Sequence, residues 1–147
     1  ATEEEVTQTF TDMESRLKDR DFRGVMLYEQ MPKATEVIAG VNQDPDFGAV
    51  IAVGAGGVYT ELLKDISLRI APFSKKTAQA MLEELKTYKL LTGFRGSPAL
   101  NTENLKDLIV RLSELAVAYP EIAELDLNPL FVMEDRVLVG DVRILTE

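Results

Sequence analysis

The order of apolar patterns along the chain predicts an α+β domain, with a mostly antiparallel sheet and helices packed on one face. Apolar residues recur at helical spacing in three separate stretches. Between them lie short apolar or alternating runs bounded by turn residues, the mark of strands and hairpins. The resulting order is helix, strands, helix, helix, strands, without the regular alternation of a parallel sheet.

The first stretch carries Val6, Phe10, Met13 and Leu17 at i, i+4, i+7 and i+11, one stripe of an amphipathic helix. Thr2 and Glu5 have the spacing of a capping box at its start, and Gly24 is a breaker after it. Residues 25–31 read as extended and stop at Pro32. Residues 36–41 and 49–53 are two apolar runs around Asn42-Gln43-Asp44-Pro45-Asp46-Phe47-Gly48, a dense cluster of turn formers, and together they predict a hairpin. Gly54-Ala55-Gly56-Gly57 then interrupts. Residues 58–63 and 66–71 read as further strands on either side of Lys64-Asp65.

Ser74 is placed to cap a helix carrying Ala78, Met81, Leu82 and Leu85. A loop follows at residues 92–98. Asn101 or Thr102 caps the next helix, whose buried face is Leu105, Leu108, Ile109, Leu112, Leu115 and Ala116. Pro120 ends the helical region. Residues 122–128 form a strand closed by Pro129, and residues 130–133 and 137–144 flank a hairpin turn at Glu134-Asp135.

Composition narrows the chemistry. With 147 residues the chain reads as one domain, and its 46% hydrophobic content is enough to fill a core. No apolar run approaches the roughly 20 residues of a membrane span, and the first residues have neither the basic nor the apolar region of a signal peptide. There is no cysteine, which excludes disulfides and thiolate metal sites and fits a cytoplasmic protein. There is no histidine either, so imidazole acid–base catalysis, imidazole zinc sites and a phosphohistidine on this chain are excluded. A hard, oxygen-liganded ion such as Mg²⁺ remains open. The net charge of −9 argues against nucleic acid as a partner, although a small anion in a local basic pocket is allowed.

The most informative local pattern is Glu124-Leu125-Asp126-Leu127-Asn128-Pro129. Strand side chains alternate, so Glu124, Asp126 and Asn128 share a face opposite Leu125 and Leu127. Such a face is either wet or holds a cation. A turn centred between Glu134 and Asp135 pairs Met133 with Arg136, Asn128 with Asp141 and Asp126 with Arg143. Opposite residues of an antiparallel pair lie on one face with Cβ atoms about 4.5–5.5 Å apart. Asn128 and Asp141 would then direct two oxygens at one point, as Mg²⁺ prefers. The alternative is a solvated face with an Asp126–Arg143 ion pair of little energetic weight. The glycine run allows close approach of backbone N–H groups to a phosphate, or simply makes a tight turn; no Gly-Lys-Ser/Thr follows it, so it is not a P-loop. Lys64 and Arg69 are either phosphate partners or surface charges. Glu29 sits among apolar residues, where a carboxylate needs water or a partner.

Several segments, in order, carry a family likeness. They are Thr35-Glu36-Val37-Ile38-Ala39-Gly40-Val41, Asp44-Pro45-Asp46-Phe47-Gly48, Gly54-Ala55-Gly56-Gly57-Val58, Leu63-Lys64-Asp65-Ile66-Ser67-Leu68-Arg69-Ile70-Ala71-Pro72, Leu90-Leu91-Thr92-Gly93-Phe94-Arg95-Gly96 and Pro120-Glu121-Ile122-Ala123-Glu124-Leu125-Asp126-Leu127-Asn128-Pro129-Leu130. Through them the chain resembles the ATP-grasp domain of NDP-forming acyl-CoA synthetases, and more distantly the succinyl-CoA synthetase beta chain. The resemblance implies a single ATP-grasp C-terminal lobe over residues 1–147, with a leading helix at 1–24, a hinge strand at 25–31 and the lobe proper at 32–147.

It also implies a reaction: acid, CoA and ATP give acyl-CoA, ADP and phosphate through an acyl phosphate and a phosphohistidine on another segment. Asn128 and Asp141 match the family's Mg²⁺ ligands, and Asp126 matches the acidic position before them. Glu29 falls in the hinge that meets adenine and ribose. Gly56, Gly57, Lys64 and Arg69 are the remaining expected nucleotide contacts, and ATP or ADP with Mg²⁺ are the expected ligands. No catalytic residue is assigned to this chain, which is expected to be inactive alone. Its expected partners are the remaining ATP-grasp lobe and CoA-binding domains or a subunit. The alternative is a ligand-sensing or docking domain of the same shape, such as one attached to a protein acyltransferase.

Overall fold

A computed structural model describes residues 2–31, 34–57 and 64–146. The expected strand at 58–63 and the expected stop at Pro32 lie outside the described residues. The chain divides into two compact units, Ala1–Pro32 and Lys33–Glu147.

The first unit is built on α1 (Glu3–Leu17). Its capping box forms as the spacing predicts: Glu5 N–H donates to Thr2 Oγ1 at 3.2 Å, and Thr2 N–H donates to Glu5 Oε2 at 2.8 Å. Three glutamates in the first turn and Arg16 in the last complement the helix dipole. Within this unit the apolar stripe lines a groove of Val6, Phe10, Met13, Val25 and Leu27, and no residue of α1 is buried. Residues 25–31 form no strand. A strand exists only with a neighbour to bond, and the first unit offers none.

The second unit holds the sheet. Its strands are β1 (Thr35–Asp44), β2 (Gly48–Ala55), β3 (Ile66–Ile70), β4 (Ile122–Val132), β5 (Val137–Val139) and β6 (Val142–Thr146). The order is β3-β2-β1-β4-β5, with β6 also on β4, and every pairing is antiparallel. The β1–β2 hairpin turns at residues 45–47, where the Asp44 carboxylate accepts from the Asp46 and Phe47 amides at 2.8 and 3.0 Å. The helices are α2 (Lys75–Glu84), α3 (Tyr88–Leu91) and α4 (Thr102–Ala118).

One sheet face is covered by helices. Val37, Ala39 and Val41 of β1, Ile51 and Val53 of β2, and Leu125, Leu127, Leu130 and Val132 of β4 are buried there. They share one core with Ala78, Met81 and Leu82 of α2 and with Leu105, Ile109, Leu112 and Ala116 of α4. Leu108 is only partly buried, and Leu115 is exposed at the margin of the stripe. Among the described residues of the second unit no helix covers the opposite face, on which Ile66, Leu68 and Ile70 of β3 are exposed.

Two caps differ in quality. The Asn101 side chain accepts from Asn104 N–H at 2.9 Å and donates to Asp135 O at 3.0 Å, so it both starts α4 and ties it to the β4–β5 turn. Ser74 occupies the N-cap of α2 but makes no side-chain bond to the helix backbone.

Asp65 anchors the entry to β3. It is 4% exposed. Its carboxylate accepts from Lys86 N–H, Thr87 N–H and Thr87 Oγ1 at 2.8, 2.9 and 2.7 Å. Burial by itself would raise this carboxyl, but the Thr87 hydroxyl and the two amides outweigh it and hold it below its ordinary value of 3.8. A carboxyl depressed in the folded state contributes stability that is full above the unfolded value and is lost as pH falls through the folded one. Asp65→Asn is therefore expected to cost about 1–3 kcal/mol at neutral pH. It should also shrink the difference in urea-denaturation stability between pH 7 and pH values below 3.8. An unchanged difference would remove Asp65 as a source of acid sensitivity.

Candidate functional site: the open face of the sheet

The β4 strand does not end at Pro129; it runs on to Val132. Proline is tolerated because the pairing changes at that point. Before it, β4 bonds β6, with Asp126 facing Arg143 and Leu127 facing Val142; after it, β4 bonds β5, with Leu130 facing Val139 and Val132 facing Val137. On the β1 side the register shifts: Leu127 faces Ala39 while Leu130 faces Val37. Two β4 residues, Asn128 and Pro129, thus stand against Ile38 alone. This is a β-bulge, where a missing N–H costs least and where a side chain is re-aimed. The bulge reverses the alternation, since Leu125 and Leu127 are buried before it and Leu130 and Val132 after it. The Asn128–Pro129 peptide is cis.

The hairpin register is the one the turn position implies. Met133 N–H donates to Arg136 O at 2.9 Å, and Asn128 N–H donates to Asp141 O at 3.2 Å. Asn128 is exposed on β4, Asp141 is exposed in the connection between β5 and β6, and Asp126 is half-buried two residues from Asn128. A row across the helix-free face reads Leu68, Ala52, Gly40, Asp126, Arg143. The small residues beside Asp126 leave a trough: its Oδ1 lies 3.8 Å from where a Cβ on Gly40 would stand.

Asp126 and Arg143 oppose each other, yet the ion pairs among the described residues include neither, nor Asp141. The Asp126–Arg143 ion pair of the alternative reading is thus not among them. Among the described residues no three Asp or Glu side chains come together. Mg²⁺ takes one or two carboxylates and leaves room for phosphate and water, which the residue types of Asp126, Asn128 and Asp141 suit.

The other expected contacts divide. Arg69 already has partners. It lies one residue from Leu68 on β3, hence on the helix-covered face, where its guanidinium pairs with Glu84 of α2 and bonds the Leu68 carbonyl. Ser67 Oγ also donates to Glu84, and together these bonds hold the Glu84 carboxyl below its usual range, Arg69 first. Strand alternation leaves Arg69 no route to the face of Asp126. Gly56 is bonded as well. Its N–H donates to Glu36 O at 2.8 Å and so is spent, and a Cβ there would meet Glu36 at 2.7 Å. That close approach of strands, not a phosphate cradle, requires glycine. Gly57 is exposed at φ +60, with Glu36 Oε2 beside it, 2.9 Å from its would-be Cβ, so an anion there would need a cation between. Lys64 is exposed at φ +46. Glu29 is exposed within residues 25–31 of the first unit.

Sequence reasoning passed over Gly140. Its N–H donates to Pro129 O at 2.8 Å. A Cβ there would stand 2.7 Å from Phe131 Cε2 and 3.0 Å from Pro129 O. Its place beside Asp141 was the only available signal. Gly140→Ala is expected to cost about 1–3 kcal/mol by overpacking and to displace Asp141. Urea denaturation and Mg²⁺–nucleotide titration should both register the change, and a variant indistinguishable from the parent in both would refute the steric account.

A family model described as an ATP-grasp domain matches residues 1–145. The chain belongs to the ATP-grasp family. Among curated relatives, this ATP-grasp chain is 44% identical to the acetate–CoA ligase (ADP-forming) I subunit beta of Pyrococcus furiosus, over 86% of this chain and 55% of that one. It is 38% identical to acetate–CoA ligase (ADP-forming) I of Archaeoglobus fulgidus, over 93% of this chain and 20% of that one. The chain thus spans about half the length of the first relative and a fifth of the second.

Among solved structures it superposes with a TM-score of 0.89 and 38% identity on the dinucleotide-forming acetyl-coenzyme A synthetase 1 of Ca. Korarchaeum cryptofilum, covering 99% of this chain and 67% of that one. That structure holds coenzyme A, acetyl-coenzyme A and a phosphorylated phosphohistidine segment. A second structure of the same synthetase, with coenzyme A and Mg-AMPPCP, superposes at 0.77 with 43% identity over 80% of this chain and 55% of that one. The α+β architecture with an antiparallel sheet and helices on one face is that of these ATP-grasp neighbours. Among the described residues no helix is long and apolar enough to cross a membrane.

Proposed function

We propose that this chain is the Mg²⁺–nucleotide phosphate side of a cytoplasmic NDP-forming acyl-CoA synthetase, which converts an acid, CoA and ATP into acyl-CoA, ADP and phosphate. The observation that carries the reading is the placement of Asn128 opposite Asp141, with Asp126 beside them, on the helix-free face of an ATP-grasp sheet. Curated relatives are ADP-forming acetate–CoA ligases, and a structural neighbour is an acetyl-coenzyme A synthetase in complex with Mg-AMPPCP and coenzyme A.

In this reading Asp141 and Asn128 hold the ion and Asp126 orients a second ion or its water. Mg²⁺ held by these residues would supply charge neutralisation for phosphoryl transfer. The chain's own contribution is alignment. The bulge at Asn128–Pro129 fixes the amide oxygen, the β4–β6 register brings the carboxylate across from it, and Gly40 and Ala52 keep the trough clear. Lys64 offsets phosphate charge, and Glu29 on residues 25–31 meets adenine and ribose. A chain without histidine takes its phosphohistidine from another segment, and the remaining ATP-grasp lobe and CoA-binding parts come from the rest of the enzyme.

Calorimetric titration of the complete enzyme with AMPPCP, in Mg²⁺ and again in EDTA, tests the reading. Binding is expected to tighten at least about tenfold with Mg²⁺, or 1.4 kcal/mol. Equal affinity in both would point to a docking or sensing domain instead.

A further inference from the structure

Ala55, the last residue of β2, and Asp65, the residue before β3, form a neck in the sheet. The neck is closed by Ala55 N–H donating to Asp65 O at 3.1 Å, and the departing end is held by Gly56 N–H on Glu36 O at 2.8 Å. The returning end is anchored differently. Asp65 is almost wholly buried, and its carboxylate spans three donors at the junction of α2 and α3: Lys86 N–H, Thr87 N–H and Thr87 Oγ1. Immediately outside this anchor stands Lys64, exposed and at φ +46. A non-glycine residue persists in the left-handed region only where its surroundings over-determine it, and such residues gather at ligand clamps. Its neighbour Asp65 is the fixed point on the described side of it.

We propose that Asp65 is a positioning residue for nucleotide turnover, which fixes the direction in which the Lys64 ammonium leaves the sheet toward the nucleotide phosphates. This rests on the proposed function and deepens it. Asp65 touches neither nucleotide nor ion. It sets the backbone of its neighbour by bonding the α2–α3 junction, so the geometry of a surface lysine is dictated from the buried side. Asparagine cannot replace it, because its NH₂ group would confront either the Thr87 donors or Lys86 N–H.

The test is a double-mutant cycle on the complete enzyme with Asp65→Asn, Lys64→Ala and the pair. Asp65→Asn is expected to raise the nucleotide KM by about fivefold, with kcat changed less. In the Lys64→Ala background the same substitution should change KM by less than about twofold, because the group it positions is gone. A KM effect of equal size in both backgrounds, or a lowered melting temperature with KM unmoved, would overturn the proposal and leave Asp65 a purely structural anchor. If Asp65→Asn does not fold, Thr87→Val removes one of the three bonds with little change of shape and should show the same dependence on Lys64 at smaller size. Absence of Mg²⁺-dependent nucleotide binding in the unmodified enzyme would overturn both this and the underlying function, and it is seen before any substitution is made.

Discussion

Asp141→Ala in the complete enzyme is expected to lower Mg²⁺-dependent nucleotide turnover by about a hundredfold or more, the loss typical of removing one electrostatic partner of a transition state. Asp141 supplies a full negative charge to the proposed ion site, and the opposite residue, Asn128, offers only a neutral amide oxygen. The substitution should leave the fold nearly untouched. Asp141 is exposed at the entry to β6, its carboxylate is in none of the ion pairs among the described residues, and the bond that defines the register uses its backbone oxygen. Surface changes of this kind stay within about 0.5 kcal/mol. A steady-state assay paired with urea denaturation separates the two effects. Turnover within twofold of the parent would exclude Asp141 from the ion site, and a large loss of stability would show the residue to be structural.

Leu130→Ala is expected to cost about 2–5 kcal/mol of unfolding free energy, the largest stability effect of any substitution near the site. Leu130 is 0% exposed and is the first core residue after the bulge. It faces Val37 on β1 and Val139 on β5, and it belongs to the cluster shared with α2 and α4. The bulge holds Asn128 outward only because Leu127 on one side and Leu130 on the other are both drawn inward. A cavity at Leu130 therefore loosens the ion site as well as the core. Urea denaturation should show the lost stability, and nucleotide titration well below the melting temperature should show weaker Mg²⁺ dependence. A cost below 1 kcal/mol would mean that the core collapses around the cavity and that Leu130 is not what sets the bulge.

The fold was legible because most elements declare themselves locally. The Thr2–Glu5 box, the turn at Asp44, the Asn101 cap and the stripe of α4 each arise from contacts between residues a few positions apart. The β4–β6 register was legible for the same reason, since a short turn at Glu134-Asp135 counts out Asn128 against Asp141. Segments that depend on distant partners were harder. Residues 25–31 have strand-like composition, but composition does not supply a neighbour to bond. Pro129 looked like a strand end, because the change of partner from β6 to β5 has no mark in the sequence.

The candidate site divides along the same line. Residue types and alternation were sufficient to put Asp126 and Asn128 on one face and Asp141 across from them. Which face that was, helix-covered or open, depended on where α2 and α4 pack. Arg69 shows the consequence: its charge suited a phosphate, yet strand parity turned it to the helices, where Glu84 is its partner. Gly56 likewise suited a phosphate loop, but its N–H was taken by Glu36, a strand away. The sequence by itself determined the main helices, the caps at Thr2 and Asn101, the hairpin register and the oxygen-rich residue types of β4, because each follows from short-range spacing. Only the tertiary structure decided which sheet face stays open, where β4 bulges, and which of the candidate groups are already bonded, because those depend on packing between elements far apart in the chain.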